Sequence, residues 1–315
     1  MIKKRHNKLM SAIQLRNYGG PGQLVLVRIP VPEPIENQVL VRNHAVGINP
    51  YEWKLREGLF KSLNPVVFPI IPGIESAGTI EAIGPKVKKF LPGQEVYGFV
   101  SGSYAEYSIS TEDKLFFKPD HLSFEEAAAI PVGTQTAYSV LFDIAQLDKG
   151  EKILIHGGAG TVGIYAIQLA EWKGANVIAT ASKDNIGFVH SLGADMVIDY
   201  QSVHFENVVQ NIDVVLDSIG GEVQNNSFKV LKQGGVLVSI VSEPSQEMAA
   251  NYGVRALLRT GGISTEGQKQ LQLLINSGVV KPVIRKAFSL PEAANAQELS
   301  QRGHGRGKIV LAIPE

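Results

Sequence analysis

The stretch KILIHGGAGTVGIYAIQLAEWK, residues 152–173, constrains this chain more than any other. Lys152 to His156 reads as a buried strand, and an apolar-rich run to Lys173-Gly174 reads as a helix. Between them Gly158, Gly160 and Gly163 spell G-x-G-x-x-G. The spacing gives each glycine a job. Gly158 allows the tight turn out of the strand, Gly160 lets backbone approach a pyrophosphate, and Gly163 lets the helix pack close to the strand. Thr161 and Val162 open the helix, whose free N–H groups and positive dipole end suit phosphates. A glycine turn with no ligand is the plain alternative. Against it stand the apolar strand before, the helix after, and a further strand pattern at 175–181, ANVIATA. A P-loop needs Lys and Ser/Thr where Ile164-Tyr165 stand, so the ammonium for the phosphates is missing and an NTPase is excluded.

From Lys152 onward, strand patterns at 152–156, 176–181, 196–199, 213–217 and 236–240 alternate with helical candidates at 161–173, 184–192, 203–210 and 222–232. This alternation predicts a doubly wound parallel sheet covered on both faces. Ligands on such sheets bind at the carboxyl ends of the strands. Those ends carry His156-Gly157, Ser182-Lys183, Tyr200, Ser218-Ile219 and Ile240-Val241. NAD calls for an acidic residue about 20 residues past the glycines, to accept from the ribose 2′-hydroxyl. Ser182 and Lys183 stand there instead, a hydroxyl and an ammonium that suit a 2′-phosphate, with Asp184 next in line. The expected cofactor is NADPH.

Residues 11–124 read as short strands punctuated by Gly and Pro, at 24–29, 38–46, 77–83, 94–99 and 104–109, with a short helix at 50–57. That pattern predicts a small β-barrel-like domain. Ser123 and Glu126 form a capping box, so Glu125 and Glu126 read as helix-start residues, not as a catalytic pair. A helix follows at about 133–145. Segment 241–265 has the weakest pattern, with one strand candidate at 254–258. A helix at 266–276 ends near Gly278, and a strand at 308–313 follows the Gly303–Gly307 turn. At 315 residues the chain can bury two cores. Its formal net charge of +0 supplies no field toward nucleic acid or a membrane surface. With Cys at 0, disulfides, thiolate nucleophiles and cysteine-based metal sites are excluded, which fits a cytoplasmic protein. Lys3, Lys4, Arg5 and Lys8 make a basic arm with no apolar segment behind it, and residues 1–9 are expected to lie outside the fold. No apolar run is long enough to span a bilayer.

Several further motifs carry a family resemblance: Gly47-Ile48-Asn49-Pro50, Pro72-Gly73-Ile74-Glu75, Ala127 to Ala129 followed by Thr134 to Tyr138, Ser191 to Asp195, Asp217 to Gly221, and Arg306 to Leu311. With the glycine turn, they make the chain from Met10 onward resemble the zinc-independent, quinone oxidoreductase-like branch of the medium-chain dehydrogenases/reductases. The resemblance implies an α/β fold in which a Rossmann doubly wound parallel sheet (125–265) is inserted in a GroES-like β-barrel domain (10–124 and 266–315). It also implies a homodimer or homotetramer. The zinc alcohol dehydrogenases of the superfamily carry Cys where Asn49 stands and His where Ile74 stands, and their cysteine-rich lobe after Val96 is absent, so no metal is expected. Without a Lewis acid, alcohol oxidation loses its main means of stabilising an alkoxide. A quinone or an α,β-unsaturated carbonyl accepts hydride without one.

By resemblance, Asn49 lies near the nicotinamide ribose, Thr136 at the nicotinamide, and Gly160 to Gly163 at the pyrophosphate. Ser182, Lys183 and Tyr200 surround the 2′-phosphate, Ser218 and Ile240 flank the cofactor, and Arg306 reaches it. The enoyl-thioester reductases carry a Tyr in the stretch matching Gly58-Leu59-Phe60, where Phe60 cannot donate to a developing oxyanion. Tyr51 and Tyr104 are the remaining phenols, and Asn49, Tyr51 and Thr136 are the catalytic candidates. His44, His121, His156 and His190 form no recognisable set, and His156 reads as a packed, hydrogen-bonded turn residue. The expected activity is NADPH-dependent reduction of a quinone or enone. An enoyl-thioester reductase and a non-catalytic NADPH-binding redox sensor are the alternatives. A serine hydrolase lacks its G-x-S-x-G.

Overall fold

A computed structural model describes residues 8–314. The chain forms two compact units. One runs through Val132 and takes up the chain again at Ile284–His304 and from Lys308 on; the other is Gly133–Val283 with Gly305–Gly307.

The first unit opens with a hairpin of β1 (Leu9–Leu15) and β2 (Leu24–Pro30), in which Leu9 pairs with Pro30 and Leu15 with Leu24. Lys8 and Leu9 therefore belong to the fold: Leu9 is in the ladder and the Lys8 carbonyl accepts from Val31 N–H at 2.9 Å. Lys3, Lys4 and Arg5 lie outside the described residues. Next come β3 (Gln38–Ile48), α1 (Pro50–Arg56), β4 (Glu75–Ile83), β5 (Glu95–Phe99), β6 (Tyr107–Thr111), β7 (Leu115–Phe117) and α2 (Phe124–Ala128). Ser123 and Glu126 exchange the capping hydrogen bonds at 3.1 and 2.9 Å, so Glu126 is structural as the sequence predicts. β3 organises the unit. Its residues 38–42 pair with β6 and its residues 45–48 with a strand from the far end of the chain. Register breaks at Leu40/Val41 and Asn43/Ala45 interrupt its ladder with β4. Alternate residues face different cores: Val39 and Val41 pack with Ile80, Phe90, Val96 and Leu115, and Leu40 packs with Met10, Ala12 and Tyr107.

The second unit begins within α3 (Pro131–Tyr138), which continues as a wider turn, Ser139–Ile144, in place of one regular helix. Then β8 (Lys152–Ile155), α4 (Thr161–Lys173), β9 (Asn176–Ala181), α5 (Ile186–Ser191), β10 (Met196–Asp199), β11 (Ile212–Asp217), α6 (Gly221–Ser227), β12 (Leu231–Ser239), α7 (Gln246–Tyr252), β13 (Arg255–Leu258) and α8 (Thr265–Asn276) follow. The strands form one parallel sheet in the order β10-β9-β8-β11-β12-β13. This is the doubly wound sheet the alternation predicts. Two helical readings do not hold. Segment 203–210 makes only one tight turn, Phe205–Asn207, and α6 stops at Ser227 because β12 starts early, at Leu231. α8 belongs to this unit: Ser264 donates to Asp143 from N–H and Oγ at 2.9 and 2.7 Å, and Gln135 Nε2 donates to Gln268 at 2.5 Å. The units consequently divide at 132/133 and 283/284, not at the expected 124/125 and 265/266.

The chain then returns to the first unit as β14 (Ile284–Ser289), α9 (Ala293–Arg302) and β15 (Lys308–Ala312). β15 pairs parallel with β14 and antiparallel with β3.

Candidate functional site

The glycine turn after β8 is crowded on its inner side. Gly157, φ +73°, takes the left-handed conformation, so the tight turn assigned to Gly158 falls to the glycine before it. A Cβ on Gly158 would sit 3.0 Å from Ala179 Cβ and 3.2 Å from Val189 Cγ1, and that position serves packing. A Cβ on Gly163 would lie 2.3 Å from the Gly157 carbonyl oxygen, the close helix–strand approach its spacing predicts. At Gly160 a Cβ would meet only that same oxygen, at 3.3 Å, leaving the outer side open. Ile164 N–H bonds back to Gly160 O at 2.9 Å, while the N–H groups of Thr161, Val162 and Gly163 precede the first helical repeat. The turn is tied to the C-terminal segment: Gly307 N–H donates to Ala159 O at 3.0 Å and Thr161 Oγ1 to Gly307 O at 3.5 Å. Gly133, on α3, has no room for a side chain beside Thr161 Cγ2 (2.8 Å) and Tyr165 Cε2 (2.7 Å), and buried Thr136 follows one turn later.

At the end of β9, Asn185 Nδ2 donates to Ser182 Oγ at 2.8 Å, and Arg306 Nε donates to Asn185 Oδ1 at 3.2 Å. Arg306 also donates to the Asp184 carbonyl at 3.3 Å and lies 4.5 Å above the Phe188 ring. Lys183 and Tyr200 are exposed. The Asp199 carboxyl, held below its usual range first by the Ser202 hydroxyl and then by the Gln201 N–H, also feels Lys183. At the end of β11, buried Asp217 accepts from Ile219 N–H (3.0 Å), Gly220 N–H (2.8 Å), Gln224 Nε2 (2.9 Å) and Ser239 Oγ (2.8 Å). It thereby fixes the strand ends carrying Ser218 and Ile240. Ser218 Oγ donates to His156 O at 2.7 Å, and Ile240 N–H donates to Asp217 O at 2.9 Å. His156 is buried, with Nε2 2.9 Å from Ser227 Oγ. Ser227 spends its own proton on Val223 O at 2.7 Å, so the imidazole proton sits on Nε2. Burial pushes His156 down to about 4 against the opposing charge of Asp217, leaving a neutral, packed ring.

In the first unit a buried polar cluster surrounds Asn49, the residue capping α1. Lys308 Nζ donates to Asn49 Oδ1 and to Glu75 Oε1, each at 2.5 Å, with the two charged side chains 1% and 0% exposed. Asn49 Nδ2 donates to Glu75 Oε1 at 2.8 Å and to Glu52 Oε1 at 3.3 Å, and Asn49 N–H donates to Glu52 Oε2 at 2.7 Å. Glu75 Oε2 accepts from Val132 N–H at 2.8 Å. A Cβ on Gly47 would stand 2.3 Å from Glu75 Oε1, which is why the motif before Asn49 needs glycine there. Burial pushes Glu52 up to about 7, with Lys308 pulling the other way. Lys308 and Glu52 escaped the functional reading of the sequence. Glu52 was findable as the third residue after the Asn49 cap; Lys308 opens a strand whose apolar run gives no sign of a buried charge. Tyr51, 37% exposed, stacks on Phe60 with centroids 5.6 Å apart. Tyr104 is fully buried, and burial raises its hydroxyl well above the ordinary phenol range, so it is a core residue and not an available proton donor.

Comparison with known proteins accords with this geometry. The alcohol dehydrogenase GroES-like domain model matches residues 35–120 and a zinc-binding dehydrogenase model matches 192–311. Quinone oxidoreductase of Mus musculus is 34% identical, over 97% of this chain and 98% of its own length. The chloroplastic NADPH-dependent alkenal/one oxidoreductase of Arabidopsis thaliana is 35% identical, over 96% of this chain and 80% of its own. The solved quinone oxidoreductase from Coxiella burnetii superposes with a TM-score of 0.89 at 34% identity, covering 98% of this chain and all of that one (100%). The chain belongs to the quinone oxidoreductase-like family of the medium-chain dehydrogenases/reductases.

One matching family model describes zinc binding, and the residues here do not fit a zinc ion. Among the described residues no group of three or more His, Asp or Glu side chains is placed to hold a metal. Asn49 and Ile74 stand where the resemblance puts Cys and His, and the ammonium of Lys308 is already bonded to Glu75 and Asn49. A nicotinamide dinucleotide does fit: the Gly157–Gly163 turn leaves its outer side open beside free helix N–H groups.

Proposed function

We propose that this oxidoreductase transfers hydride from NADPH to a quinone, or to the β-carbon of an α,β-unsaturated carbonyl, without a metal. The observation that carries the reading is the intact dinucleotide turn of the second unit, open on its outer side at Gly160; in the first unit Asn49, which by resemblance stands where zinc relatives carry Cys, is bonded instead to Glu75 and Lys308. NADPH would supply the hydride when bound, becoming NADP⁺, and water would supply the proton that completes the reduced product. Gly160 to Gly163 receive the pyrophosphate on backbone N–H groups. Ser182, Lys183, Tyr200 and Arg306 receive the 2′-phosphate, while Ser218 and Ile240 flank the cofactor. Asn49 Oδ1 has two lone pairs and spends one on Lys308, so it keeps one to accept from a ribose hydroxyl. Tyr51, stacked on Phe60 and partly exposed, offers a flat apolar surface and a hydroxyl to the acceptor, and Thr136 lies at the nicotinamide. Phe60 cannot donate to a thioester oxyanion, which favours quinones and enones over enoyl thioesters. The family resemblance further supports a homodimer or homotetramer. Among the described residues no helix is long and apolar enough to cross a membrane.

The test is NADPH oxidation by EDTA-treated protein against ortho-quinones, para-quinones, enones and enoyl thioesters, with NADH in parallel. The expected result is turnover on quinones or enones, unaffected by the chelator, with kcat/KM at least about tenfold higher for NADPH, the ratio that 1.4 kcal/mol of extra phosphate binding gives. Loss of activity with EDTA, or preference for NADH, overturns the reading. Tight NADPH binding with no turnover on any acceptor makes the protein a redox sensor.

A further inference from the structure

Near the end of β9 stand two cations, and their surroundings differ. Lys183 is exposed, and its charge is a lesser contributor, after the Ser202 hydroxyl and the Gln201 N–H, to holding the Asp199 carboxyl low. Among the described residues Arg306 hydrogen-bonds neutral oxygens, Asn185 Oδ1 at 3.2 Å and the Asp184 carbonyl at 3.3 Å. Its guanidinium lies over the Phe188 ring at 4.5 Å, a contact that holds the plane while leaving the charge intact. Asn185 completes the arrangement, because its Nδ2 donates to Ser182 Oγ at 2.8 Å while its Oδ1 accepts from Arg306. One amide thus fixes a hydroxyl and a guanidinium on the same side of the strand end. The Asp184 side chain, next to Lys183 in sequence, is the other negative group of this turn.

We infer that Asn185 is a positioning residue for NADPH selectivity: it holds Ser182 and Arg306 together as the 2′-phosphate clamp, with Phe188 as the platform beneath the guanidinium. Arg306, not Lys183, is then the dominant cation toward the phosphate. This inference rests on the NADPH reading above and adds to it a residue that touches no cofactor atom.

The probes are adenosine 2′,5′-bisphosphate and 5′-AMP, titrated calorimetrically into the full-length protein without any acceptor. Wild type is expected to bind the bisphosphate more tightly. Asn185→Ala removes both of its hydrogen bonds, with Ser182 and with Arg306, weakens bisphosphate binding by about fivefold to tenfold, the net size of one ordinary hydrogen bond, and leaves 5′-AMP unchanged. Arg306→Ala costs more than Lys183→Ala. Asn185→Asp keeps the shape but sets a carboxylate against Arg306, and it must weaken the bisphosphate more than Asn185→Ala does. A merely structural role for Asn185 would move both nucleotides together, or would spare the aspartate variant, and either result overturns the inference. Wild type with no preference for the bisphosphate overturns the NADPH reading along with it. A wild-type preference that survives Asn185→Ala overturns the inference alone.

Discussion

Lys308 and Glu52 show how a single residue sets the character of the Asn49 cluster. Glu75 pairs with the Lys308 ammonium in the core of the first unit, Glu52 feels the same charge, and all three side chains are buried. Glu52 takes the proton preference that follows, pushed up to about 7 by burial. In the unfolded chain it titrates near 4.5. Below that pH it is protonated in both states, so its contribution is fully present. Between about pH 4.5 and 7 only the unfolded chain gives up the proton, and the contribution is lost as pH rises through that window. Glu52→Gln removes the titration, since its amide oxygen can still accept from Asn49 N–H. The urea-unfolding free energy of Glu52→Gln should therefore rise relative to wild type between pH 5 and 8, by an amount on the order of 2–3 kcal/mol. A constant difference across that range would refute the assignment. His156 works in the opposite direction. Pushed down to about 4, it loses stability as pH falls from 6.5, so the two groups oppose each other and wild type alone hides both.

Among the elements, α4 shows what the glycine pattern demands. Gly163→Ala puts a methyl 2.3 Å from the Gly157 carbonyl oxygen and 2.8 Å from Gly158 Cα, both rigid backbone atoms. The expected outcome is a loss of about 1–3 kcal/mol in thermal or urea unfolding, together with weaker 5′-AMP binding as the helix is pushed off the strand. Unchanged nucleotide affinity in the variant would show that α4 is not held against β8 by this contact. The pattern located this helix because its middle is a nearly unbroken apolar run, buried from Gly163 to Ala170. Elements with thinner signals escaped. β14 buries only Phe288 fully and carries two charges, and α9 presents small buried residues, Ala293 and Ala296, with Gln297, instead of an apolar stripe. The helix expected at 203–210 shrank to one turn, since its valines at 203 and 208 are exposed and β-branched residues favour helix weakly.

At the scale of the whole molecule, the first unit is built from two distant parts of the chain. Ile309, Val310 and Leu311 are buried in a strand that pairs with β3, more than 250 residues earlier in the sequence. Removing residues from Lys308 onward exposes an edge of β3, withdraws three apolar side chains worth roughly 1.5–3 kcal/mol each, and leaves Glu75 without its ammonium. Such a truncated protein should lose cooperative unfolding of the first unit and bind a hydrophobic dye, whereas native-like unfolding would show that β15 is dispensable. The sequence by itself determined the parallel sheet and the dinucleotide turn, because periodicity and residue chemistry are local, and its family resemblance implied that Asn49 and Ile74 replace zinc ligands. Only the tertiary structure decided that Gly157 makes the turn, that α8 belongs with the parallel sheet, and that Lys308 is the buried partner of Glu75 and Asn49. Those outcomes depend on contacts between residues far apart in sequence, where no local pattern records which side chain will be left without water and must find its charge partner inside.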